Sequence, residues 1–319
     1  MKNLLKKIIP YTDILLVPFV YPAAWLLKNI RKVGVQRLPL CKKALFNTGD
    51  FPIRDHYYEP QFDMREMKHP FPEERGLPGI DWNIREQLDY LEKFTFSGEL
   101  QEFPFEKTDD LHYYFDNSEF KSGDAEYWYQ LIRLKKPARI FEVGCGNYTV
   151  MAIHAIRKNQ EDNPGYSCKH VCIEPYEMPW LEKTGVSVLR KKVEDVEVSF
   201  FSELGEDDIL FIDSSHMIRP EGDVLFVYLE LIPSLNRGVI VHMHDIFSPR
   251  NYLHDWLTSD VRFWNEQYLL EAFLTDNASW KITGSLNCLH HNHYENLKAV
   301  CPFLTPDREP GSFYMQKIT

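Results

Sequence analysis

The stretch FEVGCGNYT, residues 141–149, reads as a strand that breaks at a glycine turn and re-enters the chain as a helix. Gly144 and Gly146 permit a tight turn and let a ligand approach the backbone at the helix N-terminus. A dinucleotide fingerprint would place a third glycine at position 149, where this chain carries Thr149. Glu142, just ahead of the glycines, is a carboxylate that can hold the cationic amino group of a bound cofactor.

Working outward, apolar strands alternate with helical patterns. GDAEYWYQLIRLKK (123–136) reads as a helix with Asp124 as its N-cap. After RIFEVG (139–144) come TVMAIHAIRKN (149–159), HVCIEP (170–175), VSVLR (186–190) and DILFIDS (208–214). DVLFVYLELIPSL (223–235), GVIVHMHD (238–245), the helix FWNEQYLLEAFLTDN (263–277) and a last strand SFYMQKI (312–318) complete the series. Short strands without polar alternation, separated by helices, predict a doubly wound, mostly parallel α/β sheet covered on both faces. In such sheets ligands bind outside the carboxyl ends of the strands, where the strand order reverses.

The polar residues collect at those ends. Glu174 closes the second strand, where an acid can accept both ribose hydroxyls, and Asp195 or Glu194 offers an acceptor for an adenine amino group. The fourth strand ends in Asp213, Ser214, Ser215 and His216, and the fifth in His242, Met243, His244 and Asp245. Alternation puts His242 and His244 on one face and Met243 on the other. His242, one position inside the rim, reads as a buried, hydrogen-bonded structural residue.

The order E-x-G-x-G, an acid ending the second strand, and FIDSSH ending the fourth resembles the class I S-adenosylmethionine-dependent methyltransferases. ILFIDSSH, GVIVHMHDIFSP and WNEQYLLEAFL look like a bacterial small-molecule methyltransferase group within it. The resemblance covers roughly 110–319 and departs at the glycine loop, where Asn147 and Tyr148 replace a serine-rich version. It implies a Rossmann-like fold binding S-adenosylmethionine through Glu142, Gly144, Gly146, Asn147, Glu174, Asp195 and Asp213. Methyl transfer to oxygen needs an aligned acceptor, excluded water and removal of a proton, which a histidine near neutrality can perform. His216 is then the preferred base, with His244 and Asp245 beside it. A divalent cation such as Mg2+ on Asp213 and Asp245 is a second route, although Ile246 stands where metal-dependent relatives often carry a further oxygen ligand. The acceptor is expected to be a small molecule or glycan. A nicotinamide-dependent oxidoreductase and a noncatalytic cofactor-binding protein are the alternatives, the first weakened by the missing glycine.

Other features bound the rest. With 47 acidic and 36 basic residues the net charge is −11, which argues against nonspecific binding to nucleic acid. The six cysteines form no CxxC pair or regular framework, so they read as reduced thiols of a cytoplasmic protein. HHNHYEN (290–296) matches no closed zinc spacing and reads as a polar loop. Trp264, Gln267 and Tyr268 are candidate pocket lining.

Residues 1–95 read as an N-terminal extension and 96–319 as the catalytic domain. Within the extension, ILLVPFVYPAAWLL (14–27) is an uncharged run flanked by Lys6, Lys7, Lys28, Arg31 and Lys32. As a helix that run spans about 21 Å, short of the roughly 30 Å hydrocarbon core, and Pro18 and Pro22 should break it. The expectation is either peripheral contact with the inner membrane face or an arm packed on the domain or on a second subunit of a homo-oligomer.

Overall fold

Every strand of the sheet sends alternate residues to opposite faces, and both faces are apolar, so each must be covered. The computed structural model describes residues 2–319, with side chains described for all but 2–8, 10 and 65. The chain divides into two compact units, residues 1–68 and 69–319. Residues 69–95, grouped with the extension by sequence, lie in the larger unit, where Ile80 and Leu91 join its core.

The larger unit holds seven strands: β1 Arg139–Val143, β2 Lys169–Ile173, β3 Ser187–Leu189, β4 Ile209–Ile212, β5 Ile240–Met243, β6 Trp280–Ser285 and β7 Phe313–Lys317. Their order is β3-β2-β1-β4-β5-β7-β6, with β7 antiparallel to both neighbours and the other pairings parallel. The order reverses between β1 and β4, which makes that crevice the expected ligand position. Ile140, Ile209, Phe211 and Ile240 face one core with Trp128 and Met151, while Phe141, Val143, Leu210, Ile212, Val241 and Met243 face the other. As the alternation predicts, His242 and His244 meet Phe120 and Phe211 on the first face, and Met243 joins the second core.

The smaller unit contains α1 Lys2–Val33 and α2 Pro39–Thr48. In contrast to the expected break, α1 runs through Pro10, Pro18 and Pro22 without interruption. Its stretch Tyr11–Val33, 23 residues, is long and apolar enough to cross a membrane, and none of its most apolar window is buried. Ile14, Leu15, Phe19, Tyr21 and Trp25 are all exposed. The uncharged run therefore understated the helix, which spans about 35 Å over those residues at 1.5 Å each. At the end of α1, Arg31 donates to the Glu59 carboxylate at 2.8 and 2.9 Å.

In the larger unit α3 Ile84–Leu91, α4 Asp124–Lys135 and α5 Asn147–Asp162 precede and follow β1. Gly123, not Asp124, is the N-cap of α4, and Glu126 turns back to accept its N–H at 2.8 Å. Asp124 instead accepts the backbone N–H groups of Gly311 at 2.9 Å and Ser312 at 2.8 Å, fastening the segment that leads into β7.

Candidate active site

One hydrogen-bonded row crosses the carboxyl rim of the sheet. Glu174 N–H donates to Leu189, Gly144 N–H to Ile173, Asp213 N–H to Val143 and His244 N–H to Ile212. The backbone ladder thus brings four sequence-predicted residues into register one position beyond the strands. The rung two residues below pairs Cys172 with Glu142, Glu142 with Phe211, Phe211 with His242 and His242 with Tyr314.

The glycine loop is shaped by its contact with β4. Gly144 sits at φ +85°, and a Cβ there would lie 2.2 Å from the carbonyl oxygen of Asp213, so no other residue fits. Thr149, where a third glycine was sought, closes the loop: its hydroxyl accepts from the Gly146 N–H at 3.2 Å and donates to Glu142 at 2.5 Å. His170 Nε2 meets the other oxygen of Glu142 at 2.9 Å, and the Glu142 side chain is fully buried. This corrects the expectation that Glu142 takes a cofactor amino group. Its carboxylate is committed to holding the loop. Tyr148 stacks on Phe211 with ring centroids 4.1 Å apart, which explains the aromatic departure from a serine-rich loop as packing beneath the rim.

A cleft of about 330 Å3 opens at the crevice between β1 and β4, lined by Gly144, Glu174, Glu194, Asp213, Ser215 and Arg219 among others. Its size falls within the range of small-molecule sites. Glu174 accepts the N–H of Tyr176 at 2.8 Å, which orients its carboxylate. Glu194 lines the cleft, whereas Asp195 is exposed and absent from the lining. Gly146 and Asn147 line a second hollow of about 300 Å3 on the other side of the loop, with Asn147 donating to Glu119 at 3.2 Å. Arg219, missed in the sequence, faces Asp223 at 3.5 Å, and Asp223 accepts from the Ser215 N–H and hydroxyl at 2.7 Å each.

Beyond Asp213 the histidine and carboxylates converge. His216 Nε2 lies 3.2 Å from Asp213 and 3.6 Å from Asp245, and its Nδ1 lies 2.7 Å from Glu266. Its ring rests against Trp264, centroids 4.3 Å apart. Burial pushes the imidazole toward its neutral form, but the hydrogen bonds and charges of Asp213 and Glu266 win, holding its pKa well above the usual histidine value. Asp213 is likewise penalised by burial, yet the neighbouring His216 and the positive charge of His244 hold its carboxyl well below the ordinary range. His244 Nδ1 lies 3.4 Å from Asp245, and although burial opposes the charge, the carboxylates of Asp245 and Asp213 raise its pKa to about 9. Burial raises Asp245. His216 and Asp245 adopt φ of +58° and +60°, a left-handed conformation that costs a non-glycine residue about 1–3 kcal/mol and concentrates at functional sites.

This geometry changes the role expected of His216. Both ring nitrogens face carboxylates, so no lone pair is left to take a proton from an acceptor. Glu266 was missed by the sequence reading; the one available signal was a glutamate four positions ahead of Leu270 on the apolar face of the helix Glu266–Leu274. Of the neighbouring candidates, only Trp264 touches the cluster. Gln267 is buried, accepting from Phe247 N–H at 3.0 Å and donating to the Arg250 carbonyl at 2.8 Å, and so braces the loop after Asp245. Tyr268 donates to Asn251 at 3.1 Å. His242 is buried as expected, but neither ring nitrogen finds a hydrogen-bond partner among the described residues. It stacks on Tyr314 at 4.1 Å instead.

A sheet reversing between β1 and β4, with a glycine loop and an acid-lined cleft on one rim, has the architecture of the class I methyltransferases, enzymes that use S-adenosylmethionine. Residues 141–246, from β1 to the residue after Asp245, match the family model described as a methyltransferase domain. The match supports a methyltransferase over the nicotinamide and noncatalytic readings. A curated relative from Archaeoglobus fulgidus, described as an uncharacterized protein, is 28% identical over 167 residues, 48% of this chain and 74% of its own. Among solved structures, the chain is similar to the plantazolicin methyltransferase BpumL in complex with a triazolic desmethylPZN analog and SAH, at 14% identity and TM-score 0.35, covering 74% of this chain and 99% of that one. It is also similar to the apo form of a TDP-rhamnose 3'-O-methyltransferase of calicheamicin biosynthesis, at 12% identity and TM-score 0.37, covering 80% and 98%.

Proposed function

We propose that this enzyme methylates a hydroxyl of a small molecule or glycan seated over Asp213, His216 and Asp245. The observation that carries this reading is the cluster itself: two partly exposed carboxylates, Asp213 and Asp245, held by a buried imidazole at the rim beside the cleft. Bound S-adenosylmethionine supplies an electrophilic methyl group on a sulfonium. Gly144 lets the cofactor approach the backbone, and Glu174 accepts from its ribose hydroxyls. Asp245 takes the proton of the acceptor hydroxyl. His216, held between Asp213, Asp245 and Glu266, keeps the carboxylates in place.

The same residues fit a divalent cation. One ligand atom from each of Asp213, His216 and Asp245 lies within 4.8 Å of the others, and Glu266 on the far nitrogen of His216 is the outer carboxylate that such ligands use. His216, once the cation displaces its Nε2 proton, would fill the place of the third ligand that the sequence left vacant at Ile246. Mg2+ held there would lower the pKa of a bound hydroxyl and orient it. A labelled methyl donor incubated with metabolite extract identifies the acceptor. Activity on it should fall strongly in Asp245→Asn, and loss with EDTA restored by Mg2+ would assign the cation. Full activity in Asp245→Asn and Asp213→Asn would remove the cluster from the chemistry.

The exposed apolar surface of α1 supports a second part of the reading, that the chain meets a membrane and a membrane-borne acceptor such as a surface-glycan precursor. The chain should then co-sediment with anionic vesicles and lose this when residues 2–33 are deleted. Resistance to alkaline extraction would indicate a spanning helix, and release by salt a peripheral one. A deletion that instead splits a homo-oligomer would assign α1 to a subunit contact.

A further inference from the structure

We propose that His290, His291 and Glu309 form a second, separate metal site that takes a borderline divalent transition ion, Zn2+ being the reference. The tract HHNHYEN is not the polar loop expected from sequence. It forms the helix Leu286–Asn292 and the start of Tyr294–Val300. Spacing alone offered no closed site because the third ligand, Glu309, comes from a distant part of the chain.

The ring of His290 carries the strongest observation. Only 4% of the residue is exposed, its Nε2 lies 3.3 Å from the Pro306 carbonyl, and its Nδ1 has no hydrogen-bond partner. A carbonyl can only accept, so the proton sits on Nε2 and Nδ1 carries a bare lone pair. That is the tautomer of a metal-ligating histidine whose far N–H is fixed by a backbone oxygen. His291 Nε2 lies 2.9 Å from Glu309 Oε2, and Asn287 Nδ2 donates to the same oxygen at 2.8 Å. One ligand atom from each of the three residues lies within 4.8 Å of the others. A zinc ion with ligands at about 2.0–2.1 Å needs tetrahedral edges of about 3.4 Å, within reach of small side-chain rotations. The side chains of His291 and Glu309 retain 23% and 20% exposure, which leaves an entry path. Two imidazoles and a carboxylate suit zinc and its neighbours better than Mg2+, which prefers oxygen.

The site's place in the fold gives it a structural task. Glu309 is two residues ahead of Gly311, whose carbonyl accepts the Ile246 N–H at 2.8 Å just after Asp245. An ion there would tie the helix Leu286–Asn292 to the segment that backs the rim cluster.

The test uses the full chain carrying Asp245→Asn, so that the rim cluster does not contribute, stripped with chelator and titrated with Zn2+ against a chromogenic competitor. One equivalent should bind, and His291→Asn or Glu309→Gln should each weaken it by at least about 10–100-fold, the loss typical even of outer partners. Zn2+ should raise the melting temperature of the parent and not of those variants. Affinity unchanged in both variants, or binding lost on Asp245→Asn alone, overturns the site. Because a variant could disturb folding, the chain without substitutions at 290, 291 and 309 is also titrated with Co2+. An intense visible band bleached by Zn2+ supports low coordination by nitrogen and oxygen, and a pale, water-like spectrum overturns it.

Discussion

Two acid–histidine clusters lie along one sheet, one within it and one on its rim, and their surroundings differ. Below the rim, Glu142 and His170 pair at 2.9 Å, with Thr149 and Cys172 closing on the same carboxylate. On the rim, Asp213, Asp245 and Glu266 surround His216, with His244 beside them. The lower cluster excludes solvent and engages both oxygens of Glu142, so it serves to hold the glycine loop. The upper one keeps partly exposed carboxylates and, with both histidines charged, still carries one more negative charge than positive. That surplus gives the rim a negative potential. Residue type does not separate the two clusters; exposure and charge balance do.

The comparison can be broken by substitution. Asp245→Asn should lower turnover by about 10²–10⁴ while the melting temperature stays put, measured on the identified acceptor. Glu142→Ala should do the reverse, costing about 3–5 kcal/mol in urea unfolding because it strands a buried partner. If Glu142→Ala instead weakened cofactor binding in a chain of full stability, the lower cluster would belong to the site. Glu174→Gln should weaken S-adenosylmethionine binding by about 10–150-fold, equivalent to about 1.5–3 kcal/mol for a lost charged hydrogen bond, with little change in stability. Calorimetry reads both quantities.

The smallest effect concerns His242. Burial holds its pKa well below the ordinary histidine value, so the folded chain keeps it neutral while the unfolded chain takes up a proton below about pH 6.5. Its contribution is therefore present above that pH and is lost as pH falls. His242→Phe should flatten the acid side of the stability profile by up to about 1.4 kcal/mol per pH unit. Parallel profiles for parent and variant between pH 7 and 5 would mean that His242 is not the group titrating.

The strands and the rim row were legible because periodicity and polar strand ends are local properties of sequence. Glu174, Asp213, His244 and Asp245 stand where those signals put them. The use of Glu142 was not legible, since it depends on a hydroxyl from Thr149 and a ring from β2 arriving at the same carboxylate. Glu266 and Glu309 were hidden for the same reason: each meets a histidine that is remote in sequence. At the N-terminus the proline rule misled. A proline removes one intrahelical donor and crowds the preceding turn, and α1 absorbs that at three positions without ending.

The position of β7 has a consequence for how the enzyme comes into being. β7 follows β6 in the chain yet lies between β5 and β6, so β6 has no strand to pair with until β7 has been made. During synthesis β5 therefore presents an open edge, the kind of surface that draws in stray chains. The glycine loop and Glu174 are paired within β1 to β4, whereas the residue after Asp245 donates to Gly311, two positions before β7. A nascent chain can thus pair the strands that carry the glycine loop and Glu174 while the backing of Asp245 still awaits the last strand.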